Sequence, residues 1–130
     1  MNPLVDEWVT KAEGDYVSAL REVRARKSPN YDAACFHAQQ CIEKYLKGLL
    51  QSENIPFSKT HDLCLLLDAC LQKRPLWEAF RPDLEVLTEY AVIFRYPGLT
   101  ADRDKAKKAV ALVTKFRKVF RSSLLPERLP

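Results

Sequence analysis

Three groups of side chains in this 130-residue chain have the types and spacing to meet a phosphate. His37, Gln40, Lys44, Lys47 and Gln51 recur at intervals of three and four, which on a helix aligns them as one polar stripe. Lys44 and Lys47 would supply point charges there, with hydrogen bonds from Gln40 and His37. His61 stands in Thr60-His61-Asp62 at a helix start, where free backbone amides favour an anion and an imidazole can act as acid and base. Arg95 ends a helix ahead of Tyr96-Pro97-Gly98, and its guanidinium has the fork that clamps a phosphate bidentately. Plainer uses exist for each group. Glu43, four residues before Lys47, stands in the favourable order for a local ion pair, Thr60-His61-Asp62 is a capping sequence, and a cation suits the last carbonyls of a helix.

Other chemistries lack their residues. With two His and no Glu-x-x-His, the chain cannot build the carboxylate-bridged metal site of a helical bundle, so neither a metal nor a cofactor is expected. No Gly-x-x-x-x-Gly-Lys, Gly-x-Ser-x-Gly or His-Glu-x-x-His occurs. The four Cys, at 35, 41, 64 and 70, form no Cys-x-x-Cys pair and fall among apolar helix positions, which predicts buried reduced thiols. Cys35 with His37 and Cys64 with His61 are the pairs close enough in sequence to be weighed for nucleophilic chemistry, and neither is favoured.

The elements that must position these groups are helical. Three Gly against eight Pro, and little strand-like alternation, argue against a sandwich, a barrel or a Gly-rich phosphate loop. A first helix spans about residues 3–27, with Trp8, Ala12, Tyr16, Ala19, Leu20 and Val23 on one face. Pro29 opens a second, whose apolar series runs from Tyr31 to Leu49. Thr60 is placed as the N-cap of a short third helix holding Leu63, Leu66, Leu67, Cys70 and Leu71, closed by Pro75. After a connection containing Trp77 and Phe80, Pro82-Asp83 begins a fourth helix that stops at residues 95–98. A fifth runs over about 100–122, capped by Thr100 or Asp102, with Ala106, Ala109, Val110, Val113, Phe116 and Phe120 facing inward. The predicted fold is all-α, an antiparallel up-and-down four-helix bundle with an additional short helix, over residues 1–124, and residues 125–130 form a loose tail. Trp77 and Phe80 serve either the core or a second buried surface such as a homodimer contact.

Hydrophobic residues at 47% and charged residues at 29% are ordinary for a folded globular chain. The net charge of +4 is unevenly spread. Nine Lys or Arg against three acids concentrate +6 in residues 101–130 and leave −2 in residues 1–100. A basic segment attracts nucleic acid or nucleotide phosphate, and a solvated helix back has the same composition. No signal-like or membrane-spanning run appears, so a cytoplasmic protein without membrane association is expected.

Four segments together resemble the HEPN family of small helical domains: Trp8-x3-Ala12-x2-Asp15, Phe36-x2-Gln39-Gln40-x2-Glu43-Lys44-x2-Lys47, Thr60-His61-Asp62-Leu63, and Tyr90-x4-Arg95-Tyr96-Pro97. The resemblance covers nearly the whole chain. It implies a homodimeric bundle associated with nucleotide or RNA, often paired with a minimal nucleotidyltransferase as half of a toxin–antitoxin module. It also implies Lys44, Lys47, His61, Arg95 and Tyr96 as nucleotide-binding candidates, Tyr96 through its ring or as a modifiable hydroxyl. Many members of the wider superfamily are metal-independent ribonucleases with Arg, four to six residues, then His. Counted from Arg95, those positions hold Thr100, Ala101 and Asp102, so the motif is absent and the expectation leans away from an enzyme. Two alternatives stand beside this one: a divergent ribonuclease using His61 and Arg95, and a non-catalytic protein-interaction adaptor docking through Trp77 and Phe80.

Overall fold

The computed structural model describes residues 2–124 and is an antiparallel bundle of α-helices: α1 (Pro3–Arg24), α2 (Tyr31–Ser52), α3 (Leu63–Cys70), α4 (Arg81–Ile93) and α5 (Arg103–Leu124). A 3-10 helix, Pro75–Phe80, leads directly into α4. The proposed tail at 125–130 lies outside the described residues.

Except for α4, each helix begins where a short polar side chain satisfies free amides. The Leu4 amide donates to Asn2 Oδ1 and the Ala33 amide to Asn30 Oδ1, both at 2.9 Å. The Cys64 amide donates to Asp62 Oδ1 at 2.9 Å, and the Lys105 amide to Asp102 Oδ1 at 2.8 Å. Two sequence expectations change here. Asn30, rather than Pro29, starts α2. Asp62, rather than Thr60, caps α3, because Thr60 Oγ1 instead accepts the Asp62 amide at 3.1 Å. α1 also stops at Arg24, short of residue 27. At the far end of α2 the Ile55 amide reaches back to the Leu50 carbonyl at 2.9 Å, with Asn54 in the left-handed region at φ 56°. Asn tolerates that conformation better than most side chains, and the wrapped end stops the helix.

α2 is the axis of the bundle. Thirteen of its 22 residues are buried, against four of 22 in α1, because α1, α3, α4 and α5 all pack on it. α1 approaches most closely at Gly48, where a Cβ would stand 3.1 Å from Trp8 Cβ. The middle of α1 is tied by Glu13, which accepts from Arg117 Nε at 2.7 Å and from the Tyr45 hydroxyl at 2.5 Å, joining α1, α2 and α5. Burial pushes the Glu13 carboxyl up, but the hydrogen bonds from Arg117 and Tyr45 and the charges of Arg117 and Arg121 outweigh it, holding the group below its ordinary range.

Trp77 and Phe80 take the core role. Phe80 stacks edge-on against Phe116 at 5.1 Å between centroids, and Trp77 lies 5.1 Å from Phe120. Both rings are half-buried within the protomer, which leaves them little surface for a partner.

Candidate phosphate-binding cleft

Gln39, Glu43 and Lys47 recur every four residues along α2 and are all buried. Polar groups in such a position need partners. Glu43 Oε2 accepts from Lys47 Nζ at 3.0 Å, and its Oε1 accepts from Gln39 Nε2 at 3.2 Å and Gln40 Nε2 at 3.4 Å. Oε1 also lies 2.9 Å from Nδ1 of His61. Gln39 Nε2 donates to the His61 carbonyl at 2.8 Å, so both ends of that residue are fixed to α2. The Glu43 contact occupies Nδ1, leaving Nε2 as the imidazole nitrogen without a protein partner among the described residues. The His61 side chain is 80% exposed.

Arg95 follows α4 at the start of a turn that Gly98 completes with φ 87°. Its guanidinium lies over the Phe36 ring, 5.8 Å from the centroid. Among the described residues no carboxylate neutralises it. His61 and Arg95 line the same cleft, of about 150 Å³, together with Phe36, Gln39, Gln40 and Thr88. A second, shallower hollow of about 380 Å³ adjoins it through Phe36 and Arg95 and is walled by Asn30, Tyr90 and Phe94. An unneutralised guanidinium beside an imidazole with a free nitrogen can bind a phosphate oxygen and exchange a proton with a neighbouring group.

The polar stripe of α2 is divided rather than continuous. Lys44 Nζ reaches Asp15 on α1 at 2.5 Å, and His37 Nδ1 lies 2.8 Å from the other oxygen of that carboxylate. Lys47 is held by Glu43 and lies 5.7 Å from the Trp8 ring centroid. Neither lysine lines the His61–Arg95 cleft. Lys44 meets Asp15 because α1 packs over that face, whereas Lys47 meets Glu43 of α2 itself, the local ion pair that their spacing allows. Tyr96 is 61% exposed in the turn after Arg95.

Sequence reasoning missed Asp15, Gln39 and Phe36 as organisers of these groups. Asp15 had a signal, since an acid among Ala12 and Ala19 on the inner face of α1 must be matched by cations. Phe36 opens one of the family-like segments, but its contact with Arg95 has no local signal, because it depends on α4 packing across α2.

Both imidazoles are engaged by carboxylates, so no thiol–imidazole pair forms. Burial pushes the Cys35 and Cys70 thiols up to about 12 and raises Cys41 as well, which keeps them protonated. Among the described residues no group of three His, Cys, Asp or Glu could hold a metal ion. Nor is any described helix long and apolar enough to cross a membrane.

The family model of the HEPN domain matches residues 5–123. The crystal structure of TT1696 from Thermus thermophilus is similar with a TM-score of 0.78 at 22% identity, covering 92% of this chain and 97% of that one. At that identity the likeness concerns the fold alone. No curated protein matches.

Proposed function

This chain belongs to the HEPN domain family, and from that premise we propose that it is a nucleotide- or RNA-associated domain whose phosphate-binding groups are Arg95 and His61. The observation that supports the reading is their convergence on one cleft, with Arg95 unneutralised and the imidazole anchored through Nδ1. Tyr96, exposed beside Arg95, offers a ring for a base or a hydroxyl for modification. Lys44 and Lys47 act in this reading through their neighbours, by neutralising Asp15 and Glu43.

The same convergence favours a second reading, a divergent ribonuclease that needs no metal. His61 Nε2 would take the proton of a ribose 2′-hydroxyl, whose oxygen attacks the adjacent phosphorus. The bond to the 5′-oxygen breaks, and that oxygen takes its proton from the imidazolium or from water. Arg95 stabilises the charge that develops on the phosphate. His61 thus stands in for the imidazole that the family motif would carry at residues 100–102.

One pair of measurements tests both. Binding of ATP and of a short labelled RNA is followed by thermal shift and anisotropy, and RNA cleavage is followed in EDTA. Binding that disappears in Arg95→Ala and His61→Ala supports the site, and wild-type protein that binds neither ligand overturns it. Cleavage lost in both variants supports the enzyme, and intact RNA with bound ligand leaves a binding domain.

Homodimerisation, a minimal nucleotidyltransferase as partner in a toxin–antitoxin module and a cytoplasmic location complete the proposal. Exposed apolar side chains of Val92, Tyr96 and Leu99 around the Arg95 turn support a covered face there. Light scattering of the purified chain, alone and mixed with a candidate nucleotidyltransferase, reads the assembly directly.

A further inference from the structure

A separate cleft of about 770 Å³ lies apart from His61, on the other side of the α1–α2 connection. The end of α1, that connection and the first turns of α5 enclose it. Arg24, Arg26, Arg103 and Lys107 line it together with Tyr31 and Pro29, and no acidic side chain does. All four cations are exposed, and none makes an ion pair or side-chain hydrogen bond among the described residues. Elsewhere Lys44, Arg74, Arg81, Lys115 and Arg117 each hold a carboxylate. Other cations unpaired among the described residues, such as Lys59, Lys73 and Lys118, line neither this cleft nor the two near Arg95, so what sets this cleft apart is that four unpaired cations share one hollow. Four unneutralised charges around one hollow repel one another and call for a polyanion.

The clefts are arranged in series. Pro29 and Tyr31 wall the basic cleft, and Asn30 between them walls the hollow that holds Phe36, Tyr90 and Phe94. That hollow shares Phe36 and Arg95 with the His61 cleft. The series sets cations beside aromatic rings, the combination that tracks the backbone of a single strand while its bases stack. The one carboxylate in it, Asp32 in the middle hollow, accepts the Ala101 amide at 2.6 Å. A free nucleotide would fill only one of the three spaces.

We propose that one single-stranded RNA lies across this end of the bundle, with successive phosphates in the Arg24–Arg26–Arg103–Lys107 cleft and bases against Tyr31, Tyr90 and Phe94. This rests on the reading of the Arg95–His61 cleft as a phosphate site and extends it to a strand-length surface.

The test compares labelled oligouridines of about 4 and about 12 nucleotides, lengths within the range of known single-strand sites. Affinities are measured over a salt series for wild type and for the quadruple variant Arg24→Ala, Arg26→Ala, Arg103→Ala, Lys107→Ala. These exposed, unpaired side chains can be removed without disturbing the core, and an unchanged Tm verifies it. Loss of four phosphate contacts should lower the slope of log affinity against log salt by about 3 for the long oligomer, at roughly 0.7 per phosphate, and leave the short one bound as before. Tyr31→Leu should weaken the long oligomer about tenfold through lost stacking. The triple variant Arg24→Lys, Arg26→Lys, Arg103→Lys, with Lys107 kept, should retain the wild-type slope, which separates charge from shape. A long oligomer that binds the quadruple variant with wild-type affinity and slope overturns the proposal. So does inorganic tripolyphosphate displacing the long RNA as well as unlabelled RNA does, since the cleft is then a site for free polyphosphate. Arg95→Ala distinguishes the two levels. If it weakens both oligomers while the quadruple variant weakens neither, the Arg95–His61 site stands and the strand surface falls.

Discussion

Nδ1 of His61 sits 2.9 Å from Oε1 of Glu43, so a carboxylate only 3% exposed aims an imidazole that is almost entirely in solvent. The same carboxylate holds the buried ammonium of Lys47. Glu43→Ala would strip that ammonium of its carboxylate, a change that costs about 3–5 kcal/mol when a buried pair is broken on one side. His61→Ala, at an exposed position, should cost less than about 1 kcal/mol. Urea unfolding measures both. The double variant Glu43→Leu, Lys47→Met should recover most of the loss, and equal midpoints for Glu43→Ala and wild type would remove Glu43 as the anchor.

Arg95 and Lys44 should separate in binding assays despite carrying the same charge. Arg95→Ala removes a guanidinium without a carboxylate partner among the described residues and should lower the affinity for a short RNA roughly tenfold or more, the value of one charge-assisted hydrogen bond. Lys44→Ala removes an ammonium already bound to Asp15. It should lower stability by roughly 1–2 kcal/mol and leave that affinity within about twofold. An affinity loss in Lys44→Ala at unchanged stability would return the whole α2 stripe to the ligand site.

Acid should loosen the contact of α1 with α5 through Glu13. Its carboxyl is held below the ordinary value of 4.5, although burial acts in the opposite direction, because Arg117 and Tyr45 hydrogen-bond the charged form. A group whose folded-state value is depressed contributes stability that is complete above the unfolded value and disappears as the pH falls through the folded one. Stability should therefore decline below pH 4.5 more steeply in wild type than in Glu13→Gln, as read from urea midpoints across an acid series. Parallel curves for the two proteins would assign the decline to other carboxylates.

The thiols provide a check on packing. Cys35, Cys41 and Cys70 are buried and protonated, and Cys64, also raised by burial, is the one partly open to solvent. A disulfide reagent at neutral pH should label at most one thiol in the native protein and all four in urea. Fast labelling of two or more native thiols would mean that α2 and α3 are not packed as described.

The helices were legible because apolar residues at Ala12 and Ala19, or at Val113, Phe116 and Phe120, repeat with the helical period and have to be covered. Boundaries were less so. Asn30 stands next to Pro29, and Asp62 two residues from Thr60, and neighbouring capping residues compete on nearly equal terms until tertiary contacts choose. The candidate site divided along the same line. His61 and Arg95 were singled out by residue type at helix ends, and the fold brings them to one hollow. Periodicity on α2 puts Lys44 and Lys47 on one face and their spacing gives the Glu43–Lys47 pair, but nothing local shows that Asp15 of another helix will meet Lys44. Phe36 beneath Arg95 belongs to a contact 59 positions apart in sequence, beyond the reach of any local pattern.

Because the residue that aims His61 is embedded in the central rod, the floor of the hollow is continuous with the core. Ligand capture and cooperative melting must then share a single transition: on slow heating, bound fluorescent oligonucleotide should be released at the midpoint where helical circular dichroism collapses.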